Sequence, residues 1–222
     1  MTRRHIVWDW NGTLLDDLEI VIESVNVGLD SHGIPVIDAD TYRHHFIRPV
    51  RRFYDSLFAR SVSDEEWRSL NETFHREYDS RARGAPLTAD TREALARVSE
   101  LGWTQSLLSM SAGDFLGEIV GHHRLEQWFT RVDGVSWPDG GHKAVHLKAH
   151  LDSLSIDGGM AVVIGDTPDD AAAAGETGSA AVLYDGGSHH IEMLMSHGVP
   201  VASSLLEAVD LAAGKMSAGP GK

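Results

Sequence analysis

Ile6-Val7-Trp8-Asp9-Trp10-Asn11-Gly12-Thr13-Leu14-Leu15-Asp16 carries one carboxylate from the end of an apolar run onto a Gly-Thr turn. The run Ile6 to Trp8 is short, β-branched and aromatic, which reads as a buried strand. An aspartate held at such a strand end can act as a nucleophile that accepts a phosphoryl group. Gly12 permits close backbone approach, and Thr13 offers an N–H and a hydroxyl to phosphate oxygens. The same residues also suit an ordinary turn, because Asp, Asn and Gly all favour turns. The motif alone does not separate a site from a loop.

Outward from this strand, similar apolar runs recur at Gln105-Ser106-Leu107-Leu108, Ala161-Val162-Val163-Ile164 and Ala180-Ala181-Val182-Leu183, with a weaker one at Val199 to Ala202. Strands that alternate with helical patterns predict an α/β fold, a parallel sheet covered by helices. The segment between the first two strands is too long for a single crossover helix. It carries helical periodicity instead, at Leu18, Val21, Ile22, Val25 and Leu29, then Phe53 and Leu57, then Trp67, Leu70, Phe74 and Tyr78. Ser63 reads as an N-cap ahead of the acidic turn Asp64-Glu65-Glu66, and Gly84-Ala85-Pro86 breaks the last helix. The expected organisation is an α/β core from 1–16 and 85–222, a helical domain inserted at 17–84, and a loose tail over 214–222.

Further chemistry-bearing residues fall at the ends of the other strands. Ser109 follows Leu107-Leu108 and presents a hydroxyl, with Ser111 as its rival for the role. Lys143 follows Asp139-Gly140-Gly141-His142 and opens the helix marked by Ala144, Leu147, Leu151 and Leu154. A helix start favours anions, so a lysine there is a local misfit that points to function, whereas Lys148 reads as a solvated side chain. Asp166 follows Val162-Val163-Ile164-Gly165, and a carboxylate facing Asp9 would repel it unless a cation sat between them. Asp170 lies one turn on, in a good helix start with Thr167 as N-cap and Pro168 in first position. That reading and a metal-binding one are compatible. The histidines at 142, 146 and 150, and the pairs His44-His45, His122-His123 and His189-His190, lack a Glu or Cys at metal spacing and read as solvated or capping residues. Trp10 reads as a packing residue, and Trp137 hints weakly at a site entrance.

Taken together these positions resemble the haloacid dehalogenase-like hydrolase superfamily, in the branch whose helical cap follows the first motif. Family members carry D-x-D-G-T, a Ser or Thr ending the second motif strand, a Lys, and an acidic G-D-x-x-x-D. Here those positions read Asp9-Trp10-Asn11-Gly12-Thr13, Ser109, Lys143, and Gly165-Asp166-Thr167-Pro168-Asp169-Asp170. The resemblance spans nearly the whole chain. It implies a Rossmann-like doubly wound parallel sheet core with an inserted helical cap of the C1 type, and chemistry at the strand ends. It also implies two-step phosphomonoester hydrolysis: Asp9 attacks phosphorus, Lys143, Ser109 and Mg²⁺ stabilise the equatorial oxygens, and water hydrolyses the aspartyl-phosphate. The implied Mg²⁺ ligands are Asp9, the backbone carbonyl of Asn11 and Asp166, with Asp170 as a further ligand or support. Gly12 and Thr13 would bind the phosphate. The cap segment His44 to Tyr54 resembles that of phosphoglycolate phosphatase-like enzymes, where Arg48 or Arg51 would meet a second anionic group or else pair with the acidic surface. The expected substrate is a small phosphorylated metabolite, phosphoglycolate- or sugar-phosphate-like.

One residue departs from the pattern. Asn11 stands where the family has a second Asp that protonates the leaving oxygen and then activates water. An amide does neither, and such assistance is worth on the order of 10²–10⁴ in rate. A weakly active or non-catalytic phosphate-binding protein is therefore the alternative. A 2-haloacid dehalogenase would use Asp9 against carbon without a metal, which the Asp166 and Asp170 pair disfavours. A phosphonate hydrolase would be expected to carry a cap lysine, and none lies between Asp17 and Ala85. A phosphomutase leans still harder on the missing acid.

Bulk properties narrow the partners. The 222 residues carry 33 acidic against 19 basic side chains, a formal charge of −14, which argues against nucleic acid and anionic membranes. There is no cysteine, so disulfides and thiolate metal sites are excluded. No apolar run approaches the roughly 18 residues of a membrane span, and Met-Thr-Arg-Arg-His leads into the first strand without an apolar leader. The expectation is a cytoplasmic protein, monomer or homodimer.

Overall fold

The structure is a computed structural model that describes residues 4–136 and 142–217. Trp137 and the end of the expected tail, 218–222, lie outside the described residues. Strand β1 (His5–Trp8) is followed by helices α1 (Leu18–Ser31), α2 (Ala39–His45), α3 (Val50–Leu57) and α4 (Asp64–Arg81). The chain continues through α5 (Thr91–Glu100), β2 (Thr104–Ala112), α6 (Gly113–His122), β3 (Val132–Val135), α7 (Lys143–Leu154), β4 (Ala161–Gly165) and α8 (Pro168–Thr177). It ends with β5 (Ala180–Tyr184), α9 (Ile191–Met195), β6 (Val201–Ala202) and α10 (Leu205–Ser217). Two units separate, Met1–Leu15 with Leu87–Lys222, and Asp16–Pro86.

All the strands of the first unit are parallel, in the order β3-β2-β1-β4-β5-β6. Every residue of β1 and β4 is buried, as strands covered on both faces must be, which explains their unbroken apolar runs. The order reverses between β1 and β4, making the sheet doubly wound. Open sheets of this kind form a crevice beyond the strand ends at the reversal point. The Asp9 N–H extends the β1–β4 ladder by donating to the Ile164 carbonyl at 2.8 Å, which anchors that carboxylate at the crevice. Val7, Leu108 and Val163 pack with Leu147 and Leu151 of α7 and Ala173 of α8 on one face. On the other, Trp8 Nε1 donates to Gln105 Oε1, whose amide reaches the Leu95 carbonyl of α5.

Two elements differ from the sequence reading. Strand β3 was not expected, because Val-Asp-Gly-Val lacks an apolar run and only its last residue is buried. Helix α10 runs through Gly214 to Ser217 where a loose tail was expected.

In the second unit, α1 and α4 pack together around Val25, Leu29, Tyr42, Phe53, Tyr54, Phe58, Val62 and Leu70. Ser63 caps α4 as expected, in a capping box with Glu66, whose carboxylate also takes both Nη groups of Arg60. Tyr78 Oη donates to the buried Asp17 carboxylate at 2.6 Å, tying the end of α4 to the start of α1.

His150 is buried rather than solvated, and so is His5. They share one hydroxyl: His5 Nε2 and His150 Nε2 each lie 2.7 Å from Ser106 Oγ. His150 Nδ1 lies 2.7 Å from Asp133 Oδ2, whose pKa is held below the usual range by Arg131 and His150 against the effect of burial. An ionised Asp133 only accepts, so His150 carries its proton on Nδ1 and takes the Ser106 hydroxyl proton on Nε2. Ser106 then accepts from His5 Nε2–H, and His5 Nδ1 accepts from Thr104 Oγ1 at 2.7 Å. Burial, and next the neighbouring His150, lower the His5 pKa to about 4 from 6.5. The unfolded chain takes up that proton at 6.5 and the folded chain resists it down to about 4, so stability is lost as pH falls through this window. Between pH 7 and 4 the protein is expected to lose about 3 kcal/mol relative to His5→Gln, measured by urea unfolding. Parallel pH profiles of the two proteins would contradict this.

Candidate active site

Three carboxylates from two strand ends and one helix start, Asp9, Asp166 and Asp170, converge in the crevice, all buried, with an oxygen of each within 4.8 Å of the others. Lys143, at the first position of α7, reaches into the cluster. Its Nζ lies 2.6 Å from Asp9 Oδ1 and 2.5 Å from Asp170 Oδ1. Burial opposes the ammonium, but Asp170 and Asp9 outweigh it and raise the Lys143 pKa, so the lysine stays charged. The helix start is therefore a poor place for a lysine locally and a necessary one for the cluster. Its solvated rival Lys148 pairs instead with Asp152 on the exposed face of α7.

Hydrogen bonds distinguish the other two carboxylates. Asp170 has Oδ2 engaged by the Thr167 N–H and hydroxyl in a capping box, while Oδ1 meets only the Lys143 ammonium. Gly165 makes this possible, because a Cβ there would fall 2.2 Å from Asp170 Cγ. Asp166 accepts from the Ser188 N–H at 2.8 Å and from Thr13 Oγ1 at 3.3 Å. Thr13, read from sequence as a phosphate contact, is fully buried, with its hydroxyl engaged on Asp166.

Three carboxylates against one ammonium leave a surplus of two negative charges in a buried space. The electrostatics register this. Burial, and next the repulsion of Asp9 and Asp170, push the Asp166 pKa up to about 7. Burial also pushes Asp9 up to about 6, against the pull of Lys143. A hard divalent cation among these oxygens would balance the charge, and the donor set is the all-oxygen kind such ions take. The residues present fit such a group.

Gly12 has φ +68° and lies so close to Asp166 that a Cβ would fall 2.6 Å from its Oδ2. Both conditions exclude a side chain. Gly12→Ala is expected to bind a divalent cation roughly 10- to 100-fold more weakly while retaining its circular dichroism spectrum, since it displaces a carboxylate rather than the core. Titration calorimetry with Mg²⁺ checks this, and unchanged affinity would contradict the placement of Asp166.

Asn11 sits above Asp9 on the same loop, and both candidate serines reach it. Ser111 Oγ donates to Asn11 Oδ1 at 2.7 Å and Ser109 Oγ at 3.3 Å, while the Ser111 N–H donates to Ser109 Oγ at 3.1 Å. Ser109 and Ser111 thus both meet the same amide oxygen. The two serines are two residues apart, on one face of β2, where its pairing with β3 shifts register between Leu108 and Ala112. Arg48 and Arg51 belong to the helical unit. Arg51 donates to the Val62 carbonyl at 2.7 Å and pairs with Asp64 at 2.8 Å, and Arg48 is exposed.

The sequence reading did not find Ser188, whose backbone holds Asp166, nor Gly187, where a Cβ would fall 2.3 Å from Asp166 Oδ2. The signal was present in Gly186-Gly187-Ser188, directly after a strand end on the site's side of the sheet.

A family model described as haloacid dehalogenase-like hydrolase matches residues 6–183. A phosphoglycolate phosphatase of Vibrio parahaemolyticus is 24% identical, covering 94% of this chain and 95% of that protein. One of Aliivibrio fischeri is 23% identical, with 92% and 90% covered. Among solved structures, one described as a predicted phosphatase from Clostridium acetobutylicum superposes with a TM-score of 0.83 at 19% identity, covering 96% of this chain and all of that one.

Proposed function

The chain belongs to the haloacid dehalogenase-like hydrolase family, and on that premise we propose that it is a Mg²⁺-dependent phosphatase acting on a small phosphorylated metabolite through an aspartyl-phosphate on Asp9. The observation that carries this reading is the buried trio of carboxylates with a single lysine: it is short of two positive charges, and a divalent cation supplies them. Asp9 and Asp166, with the Asn11 backbone carbonyl, would hold that cation. Asp170 would fix Lys143 and serve as a further ligand or support. The cation supplies neutralisation of phosphate charge and a fixed point against which the phosphoryl group is oriented.

The chain's own residues do the rest. Asp9 Oδ attacks phosphorus in line, held by its ladder hydrogen bond and kept ionised by Lys143. Lys143, bridging Asp9 and Asp170, stays close enough to the nucleophile to stabilise negative charge that builds on the phosphoryl oxygens. The backbone N–H groups around Gly12 would provide further donors, while the Ser109 hydroxyl is given to Asn11. The bond from phosphorus to the leaving oxygen breaks, and water then cleaves the aspartyl-phosphate. The names of the curated relatives make phosphoglycolate- and sugar-phosphate-like compounds the first to test. A panel of phosphorylated metabolites with Mg²⁺ and with excess chelator is expected to show turnover that chelation abolishes. Activity that survives chelation would overturn the reading. Binding of Mg²⁺ and inorganic phosphate without turnover of any compound would favour a phosphate-binding protein, a reading that Asn11 keeps in view.

A further inference from the structure

The phosphatase reading leaves one question about its substrate, and the geometry at Asn11 answers it. A carbonyl oxygen has two lone pairs. On Asn11 Oδ1 both are taken, by the hydroxyls of Ser111 and Ser109. The two serines are themselves locked together by the Ser111 N–H to Ser109 Oγ bond, so the arrangement is a small closed network. The amide therefore has no acceptor site left for the proton of an attacking water. Its NH₂ group donates hydrogen bonds but does not release a proton at any physiological pH.

The other candidates for an acid at the site are occupied. Asp9 is the nucleophile, Asp170 is committed to the Thr167 cap and to the Lys143 ammonium, and Asp166, which accepts from Ser188 and Thr13, would be kept ionised by the cation. Among the described residues, no group of the carboxylate cluster remains to hand a proton to a departing oxygen.

We propose that Asn11, pinned by Ser109 and Ser111, restricts this enzyme to phosphates whose leaving oxygen departs as a stable anion, with acyl phosphates as the metabolite class, and leaves hydrolysis of the phosphoenzyme as the slow step. The inference rests on the phosphatase reading and moves its substrate away from the alkyl phosphates that the names of the curated relatives suggest. In the first step the Asp9 carboxylate forms the new P–O bond, the bond to the leaving oxygen breaks, and that oxygen leaves with the electron pair and is protonated by solvent if at all. A carboxylate or a stabilised phenolate departs readily in this way. An alkoxide does not. In the second step water attacks phosphorus without a base, the P–O bond to Asp9 breaks, and phosphate and a proton leave to solvent.

The test uses the full chain with Mg²⁺, wild type and Asn11→Asp, against acetyl phosphate, a series of aryl phosphates of graded leaving-group acidity, and an alkyl phosphate such as phosphoglycolate. Wild-type kcat/KM is expected to rise steeply as the leaving group becomes more acidic, while kcat levels at one value shared by the good substrates. Rapid quenching should show a burst of one leaving group per chain. Asn11→Asp, which restores an acid of the same shape, is expected to raise kcat/KM for the alkyl phosphate by on the order of 10²–10⁴ and to flatten the slope. Wild-type turnover of alkyl and acyl phosphates at similar kcat/KM, or a slope unchanged in Asn11→Asp, overturns the inference and leaves the phosphatase reading intact. No turnover of any compound by either protein overturns both.

Discussion

Asp9→Asn is expected to lower kcat by on the order of 10⁴ or more on the best substrate, because the substitution removes the atom that forms the new bond to phosphorus. The loss will not come from unfolding. Asp9 sits in a cluster with more negative charge than its lysine offsets, and burial already pushes its pKa up to about 6. Removing its charge relieves repulsion with Asp166 and Asp170, so the variant should unfold at the same temperature as wild type or higher when metal is absent. Lys143 keeps Asp170 as its partner. A kinetic collapse with unchanged or raised thermal stability separates a nucleophile from a structural aspartate. Loss of both together would assign Asp9 to the core.

How much of this was legible in the sequence follows from what each residue answers to. Strands β1 and β4 declare themselves because both faces are covered, which forces unbroken apolar runs; β3 is short, half-exposed and interrupted by Gly134, so it leaves no such trace. Asp9, Asp166 and Lys143 are readable because each stands at a strand or helix end where local rules favour something else or nothing in particular. The helix start around Asp170 is readable, but its hold on Lys143 and the turn of Thr13 onto Asp166 are not. Their side chains satisfy a helix cap and a neighbouring carboxylate, and that choice depends on which atoms meet in space. His150 reads as solvated or capping because, with His142 and His146 at helical spacing, no Glu or Cys stands at metal spacing. Ser106, Asp133 and, through Ser106, His5 come from three strands that the helix pattern does not mention.

Lys143→Met is expected to be the most destabilising single change in the site. It leaves Asp9 and Asp170 buried without a counter-charge, and breaking a buried pair by removing one partner costs about 3–5 kcal/mol. The loss should depend on pH in a definite direction. In metal-free protein the surviving carboxylates have raised pKa values and take up protons in the folded state first, so stability recovers as pH falls from 8 toward 6. Saturating Mg²⁺ should restore part of it at pH 8. Denaturant titrations at both pH values, with and without Mg²⁺, check these signs. A variant equally stable at pH 8 and 6 would show that the lysine does not hold the cluster together. Turnover should fall as well, since Lys143 is the only cation found on Asp9 among the described residues.

The central claim, that Asp9 carries the phosphoryl group, is tested most directly by acid-quenching wild type during turnover of acetyl phosphate with Mg²⁺ and mapping the modified peptide by mass spectrometry. The account predicts one phosphoryl group per chain, on Asp9 within the peptide spanning Ile6 to Asp16, removed by hydroxylamine and absent from Asp9→Asn. Turnover with no trapped phosphoryl group, or with one on any other residue, would contradict it.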